Sequence, residues 1–269
     1  MSNVESDELV SESQELDSVK DGQPAFEVRG AVKQYGELRA LDDVSFAVEG
    51  GIFGVLGANG AGKSTLFKAT VGLVGLDGGQ IRIGGLDADR EGLEVRRRLG
   101  YLPEDLELYD RLTGLELLEL VAGLKGLRDA GEREAWLRFF ELWPARDQLI
   151  ASYSLGMRKK IGLSAALLGR PQVVLLDEPL NGLDTESMRR LRLRMEEMAA
   201  EGTIFLVSSH VMAFVERVCQ RMVVLRRGRL VAHGTAQDLR TAAGADDGTP
   251  FEDVFLALAV DDNPPSENS

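Results

Sequence analysis

Two stretches of this chain hold residues whose types and spacing can do phosphate chemistry. The first, GANGAGKST at residues 57–65, fits G-x-x-x-x-G-K-[ST] through Gly57, Gly62, Lys63 and Ser64. Glycines at those places let backbone N–H groups wrap phosphate oxygens at a helix N-terminus, and Ala58, Asn59, Gly60, Ala61 and Thr65 complete the candidate cradle. Lys63 is placed for the β- and γ-phosphates, and the Ser64 hydroxyl for Mg²⁺. The second stretch, VVLLDEP at residues 173–179, is a β-branched and leucine run that delivers Asp177 and Glu178 at its end. Neighbouring residues of an extended chain point to opposite sides, so the two acids divide the work. One of them can hold a Mg²⁺ ion, and the other can orient and deprotonate an attacking water.

These residues need elements that bring them together. An apolar run, GIFGVLG, precedes the glycine-rich loop and a helix-period segment, TLFKATVGL, follows it, which is the context the motif requires. Upstream, FEVRGAVKQYG and ALDDVSFAVEGG read as extended pieces. Between Glu104 and Ser154 the pattern becomes helical, in LTGLELLELVAGLKGL and then EREAWLRFFELW, which predicts a helical subdomain at about residues 105–170 inserted into an α/β core. Trp136, Phe139, Phe140 and Trp143 are expected in its core. A third polar stretch, ASYSLGMRKKI at residues 151–161, puts Ser154 and Gly156 ahead of a basic helix, an anion site with no obvious phosphate of its own.

Composition narrows the partners. The net charge of −13 belongs to the ends: residues 1–21 carry seven acids against Lys20, and residues 241–269 carry seven acids and no base. Residues 22–240 are left with 30 acids and 30 bases, a neutral body without the electrostatic footprint of a nucleic-acid binder. The ends, taken as residues 1–23 and 261–269 around a domain at 24–260, are expected to be solvated, disordered tails. The first residues lack the pattern of a secretory signal, and no apolar run reaches the roughly 18 residues that span a bilayer. One cysteine, Cys219, excludes a disulfide framework and reads as a small core side chain.

The ordered set of P-loop, Ser-x-Gly turn, DEP strand, LNGLD and SSH resembles the nucleotide-binding subunit of an ATP-binding cassette (ABC) transporter over about residues 25–260. The resemblance implies an α/β fold: a P-loop NTPase core with a RecA-like mixed sheet and flanking helices, an N-terminal antiparallel β subdomain and the helical insertion. It implies ATP and Mg²⁺ as cofactors, with Tyr35 stacked on adenine and His210 at the γ-phosphate, holding the attacking water with Glu178. Asp184 matches the loop that touches a second subunit, and helix capping is open to it at the same time. Ser154 and Gly156 match the phosphate-facing members of the family signature, although Leu155 stands where glycine is common and Met157 where glutamine is common. Glu104 departs too, standing where many members carry a glutamine that reaches Mg²⁺ and water.

From this the sequence predicts an ATPase at the cytoplasmic face of the cell membrane. It would form a head-to-tail dimer of two copies around ATP and drive a separate integral membrane permease, with no nucleic-acid partner. FEDVFLALAV reads as a short amphipathic closing helix whose EDVFLAL resembles exporter ATPases, as does the absence of a long C-terminal regulatory domain. An importer ATPase, or a soluble ABC ATPase of translation or DNA repair, are the alternatives. His233, after the hairpin-like LRRGRL, is expected at the surface.

Overall fold

The computed structural model describes residues 24–259, so the expectations for the acidic ends at 1–23 and 261–269 lie outside the described residues. Two long strands, β1 (Phe26–Tyr35) and β2 (Leu38–Val48), pair antiparallel, and the fully buried β3 (Ile52–Leu56) follows. Helix α1 (Lys63–Thr70) leads to the antiparallel pair β4 (Gly78–Ile83) and β5 (Leu86–Asp87), then to α2 (Gly92–Arg97) and β6 (Leu99–Leu102). Helices α3 (Gly114–Lys125), α4 (Ala130–Phe139) and α5 (Leu155–Leu167) come next. Strand β7 (Val173–Asp177), helix α6 (Thr185–Ala200), strand β8 (Ile204–Ser208) and helix α7 (Met212–Val218) alternate after them. The chain finishes with β9 (Arg221–Arg226), β10 (Arg229–Gly234), α8 (Ala236–Ala242) and α9 (Phe251–Ala259).

Among the described residues these strands make two sheets, a four-stranded one in the order β2-β1-β4-β5 and a six-stranded one in the order β10-β9-β3-β8-β7-β6. The antiparallel first sheet was expected from its first two strands; β4 and β5, which lie beyond the P-loop, complete it. In the second sheet β3 lies parallel to both β8 and β9, β7 to β8, and β6 to β7, while β10 closes the edge antiparallel. A central parallel strand is buried on both faces, which is why β3, β7 and β8 do not alternate and β7 and β8 stay apolar up to the Asp177 and Ser208 that end them. Alternate side chains serve two cores. Ile52, Leu56, Val174, Leu176, Phe205 and Val207 join the helices α3 to α6, whereas Phe53, Val55, Leu175 and Leu206 join α1 and the antiparallel sheet.

The topology sets the site. Because β6, β7, β8 and β3 are neighbours and run the same way, the loops leaving their C-terminal ends fall side by side, as in open parallel sheets generally. Those loops carry Glu104, Glu178, His210 and the glycine-rich stretch.

The helical layer differs from expectation at α4. α3 starts at a capping box, with the Glu116 N–H donating to Thr113 Oγ1 at 3.2 Å and the Thr113 N–H to Glu116 Oε2 at 2.8 Å. The helix expected to run through Trp143 stops at Phe139 instead. Glu141 takes a φ of 61°, and Pro144 has no N–H for another helical bond, so Trp143 opens a short 3-10 turn. Trp136 and Phe140 are buried, and the half-buried Trp143 ring lies under the guanidinium groups of Arg138 and Arg146 at 4.5 and 4.4 Å. Cys219 is buried just past α7, where burial pushes its thiol up to about 12, and His233 is exposed. Among the described residues no helix is long and apolar enough to cross a membrane.

Candidate functional site

The glycine-rich loop connects β3 to α1 in a conformation that side chains would block. A Cβ on Gly57 would stand 2.5 Å from the Leu225 carbonyl oxygen, and one on Gly62, at φ 110°, would stand 2.4 Å from the Ala40 carbonyl oxygen. The loop is pinned by Ala61 N–H to the Ala58 carbonyl at 3.0 Å and by Gly228 N–H to the Ala61 carbonyl at 3.0 Å. Ala58, Asn59 and Gly60 are left exposed at its tip, ahead of the free N–H groups of α1. The Lys63 ammonium folds back on the loop, donating to the carbonyls of Gly57 at 2.7 Å and Ala58 at 3.2 Å. Burial pulls its pKa down, and Asp177, Glu178 and Glu104 pull the other way. A half-buried ammonium held by two carbonyls is ready to exchange them for phosphate oxygens.

Asp177 and Glu178 are both buried, at 2% and 6% exposure. Asp177 ends β7 opposite Ser208 of β8, whose hydroxyl donates to Asp177 Oδ1. The two acids meet different partners, Ser208 and His210, and Glu178 does not continue the strand. Strand β7 stops at Asp177, and Glu178 turns into the left-handed region at φ 48°, an uncommon place for a residue with a side chain. Its N–H donates to the Ser208 carbonyl and hydroxyl, each at 3.2 Å, which holds the turn. Strain over-determined in this way clusters at functional sites. Glu178 Oε2 lies 2.9 Å from His210 Nδ1 and accepts from the His210 N–H at 3.4 Å. Burial raises the Glu178 pKa against the opposing pull of His210 and Lys63, and a carboxylate moved upward is a better proton acceptor. With Nδ1 turned to Glu178, the mostly exposed imidazole keeps Nε2 for a ligand.

The remaining candidates are split. Glu104, exposed just past β6, is close enough to act electrostatically on Lys63. Tyr35 ends β1 at 45% exposure with Lys33 Nζ 5.5 Å from its ring centroid, an open aromatic face rather than a core one. Ser154 and Asp184 form a second, exposed group. The basic helix starts at Leu155, earlier than the residue pattern implied, because the Ser154 hydroxyl caps it by accepting from the Met157 N–H at 3.3 Å. Gly156 is therefore in its first turn. A Cβ there would meet the Gly182 carbonyl oxygen at 2.9 Å, so α5 packs on the loop that ends in Asp184. Asp184 caps α6 through the Ser187 N–H and hydroxyl, both at 2.8 Å, and pairs with Lys160 Nζ at 2.8 Å.

Several participants escaped the sequence reading. Ser208, the middle of FLVSSH, ties Asp177 to the Glu178 backbone, and its place beside a matched histidine was the available signal. Tyr101 sits on β6 with its hydroxyl buried and without a hydrogen-bond partner among the described residues; burial, with Asp177 near, pushes it up to about 12. Lys160 has no sequence signal for its partner on another element. Ser64, Asp177 and Glu104 offer oxygen donors only, which suits a hard cation. Among the described residues no group of three or more His, Cys, Asp or Glu side chains could hold an ion by itself.

Residues 41–181 match the family model described as ABC transporter. The chain is 35% identical over 249 residues to the probable multidrug ABC transporter ATP-binding protein YbhF of Escherichia coli (strain K12), covering 89% of this chain and 42% of that protein. It is 36% identical over 226 residues to the daunorubicin resistance ATP-binding protein DrrA3 of Streptomyces coeruleorubidus, covering 82% and 72%. A solved structure described as the ATP binding subunit of an ABC transporter superposes with a TM-score of 0.82 at 34% identity, covering 87% of this chain and 99% of that one.

Proposed function

The chain belongs to the ABC transporter family, and from that premise we propose that it is the Mg·ATP-hydrolysing subunit of an exporter, working through two copies joined head to tail and a separate membrane permease. The observation that carries hydrolysis is the buried Glu178 carboxylate, turned out of its strand and 2.9 Å from His210 Nδ1. A carboxylate with a raised pKa takes a proton from water, His210 holds that water against the γ-phosphate, and Lys63 meets the charge that develops on the phosphate oxygens. Ser64 and Asp177 would hold Mg²⁺, with Glu104 beside them; when bound, the ion neutralises phosphate charge and fixes the phosphates in line. Tyr35 supplies an open ring for adenine.

Ser154 caps a thirteen-residue helix with its hydroxyl exposed, and beside it Leu155 is 74% exposed. A helix N-terminus attracts phosphate, and a two-fold arrangement would set it over the nucleotide of a second copy. Export is supported by the drug-resistance relatives and by α9, whose Phe251 and Val254 are buried against the core. The chain spans 42% of the Escherichia coli relative's length, so a permease on separate chains at the cytoplasmic face is part of the proposal. Purifying the tagged chain from its native membranes in mild detergent tests it: a copurifying polytopic membrane protein is expected, and recovery of ribosomes or DNA instead would overturn it.

A further inference from the structure

The basic run Arg158–Lys159–Lys160 sends three cations to three places. Arg158 Nη1 pairs with Asp110 Oδ1 at 2.6 Å, and Lys160 Nζ with Asp184 Oδ2 at 2.8 Å. Lys159, between them, is 6% exposed and forms no hydrogen bond or ion pair within 4.0 Å among the described residues. The stem of Lys159 is covered while its ammonium is not a buried, unsatisfied group, so what surrounds that charge carries information.

Those surroundings are acidic. Gly162, one turn further along α5, would meet Leu106 Cδ2 at 2.6 Å and Leu102 Cδ1 at 3.0 Å if it had a Cβ. Helix α5 is therefore pressed against the end of β6 and the segment just beyond it, and that segment carries Glu104 and Asp105. Residues three apart share a helix face, so Lys159 lies on the side that meets this segment. Asp177, Glu178, Glu104 and Asp105 all act on it electrostatically, and the first three act on Lys63 as well. Three site carboxylates thus act on two cations, Lys63 from the P-loop and Lys159 from α5.

We propose that Lys159 is a positioning residue for the nucleotide site of its own chain: its charge offsets the carboxylate that Glu104 adds, and so keeps the segment after β6 compatible with the phosphates. The inference rests on the Mg·ATP reading above. It also deepens that reading, because α5 starts at Ser154, and a helix that meets one nucleotide at its N-terminus would touch the carboxylates of another one turn later. When Lys63 leaves its loop carbonyls for phosphate, Lys159 is the counter-charge that stays.

Two readouts of opposite sign test the idea. Removing one positive charge several ångströms from a carboxylate cluster changes an affinity by roughly tenfold at an effective dielectric near 20. Lys159→Gln should therefore weaken binding of a fluorescent ATP analogue in EDTA by about tenfold, while lowering the free Mg²⁺ that half-saturates hydrolysis by a similar factor. General damage to the fold would weaken both. Lys159→Met, which keeps the shape of the stem, should behave as Lys159→Gln does, and Lys159→Arg should stay within about threefold of the parent. In a Glu104→Gln background the effect of Lys159→Gln should shrink to under about threefold. An equal loss in both backgrounds, or a Mg²⁺ requirement that rises with Lys159→Met, overturns the inference while leaving the ATPase reading intact. A parent chain that binds no nucleotide overturns both.

Discussion

The two halves of the candidate site are built to opposite specifications. On the β7 and β8 side, Asp177 and Glu178 are 2% and 6% exposed; Ser208, with no exposed surface, donates to the Asp177 carboxylate and accepts from the Glu178 N–H, and His210 meets the Glu178 carboxylate. On the α5 and α6 side, Ser154 is exposed and the Asp184 side chain is 57% exposed, each capping a helix with an oxygen that also faces solvent. A buried carboxylate pair must be finished when the chain folds, because an unsatisfied buried charge is costly. An exposed helix N-terminus can wait for its anion in water at little cost. One half is therefore closed off from water in a single copy, and the other leaves its capping oxygens open to it.

The comparison breaks most sharply at Glu178. If the buried half performs the chemistry, Glu178→Gln should lower steady-state hydrolysis by roughly 10²–10⁴-fold, the usual worth of a general base, while equilibrium ATP binding stays near parental. ATP should then hold two copies together, visible as a dimer by size exclusion. Near-parental turnover at saturating Mg·ATP would remove Glu178 from the role of base.

The exposed half makes a different prediction. Ser154→Arg should leave ATP binding by the isolated chain intact and cut ATP-driven dimerisation and hydrolysis by roughly 10²-fold, as loss of an oxyanion donor does. A 1:1 mixture of Ser154→Arg and Lys63→Ala chains puts both lesions on one composite site and spares the other. Recovered hydrolysis supports two half-sites from different copies. A cross-link between Ser154 and the P-loop of its own chain in the Glu178→Gln dimer would refute the arrangement.

Between the halves stands Glu104, exposed yet in electrostatic contact with Lys63. Glu104→Ala should raise the free Mg²⁺ needed for half-maximal hydrolysis by roughly threefold to tenfold, and Glu104→Gln should retain hydrolysis. An unchanged Mg²⁺ titration for the alanine variant would take Glu104 out of the metal's surroundings.

Much of this was legible from sequence because the information is local. The strand, glycine loop and helix around Lys63 follow one another within about twenty residues, and the VVLL run announces a buried strand that ends at Asp177. What could not be read depends on distant partners. The left-handed turn at Glu178 is held by bonds with Ser208 and His210, thirty and thirty-two residues away, so an extended chain was the natural reading. The Lys160–Asp184 pair joins two helices, and the burial of Lys159 depends on how closely Gly162 lets α5 approach β6. The early stop of α4 was encoded, in Pro144, but the apolar spacing of the aromatic residues outweighed it in the reading.

The smallest effect asks whether the exposed half is already ordered in one copy. Lys160, with the Ser187 N–H and hydroxyl, holds the Asp184 carboxyl well below the usual carboxylate range. A depressed folded-state pKa means that the ionised group stabilises the fold above its unfolded value, near pH 4, and that this contribution fades as the pH falls toward the folded value. Asparagine caps a helix about as well as aspartate, so Asp184→Asn isolates the charge from the cap. More than half of the side chain is exposed, and solvent screening limits the ion pair, so the loss at pH 7 should be about 0.5 kcal/mol in urea unfolding. The gap between parent and variant should narrow steadily below about pH 4 as the parent's carboxylate is protonated in the unfolded state first. It should also shrink in high salt, which screens an exposed pair and spares the cap. A gap that is constant with pH would mean that Lys160 does not hold Asp184 in the single copy, and that the exposed half acquires its order only when a second copy arrives.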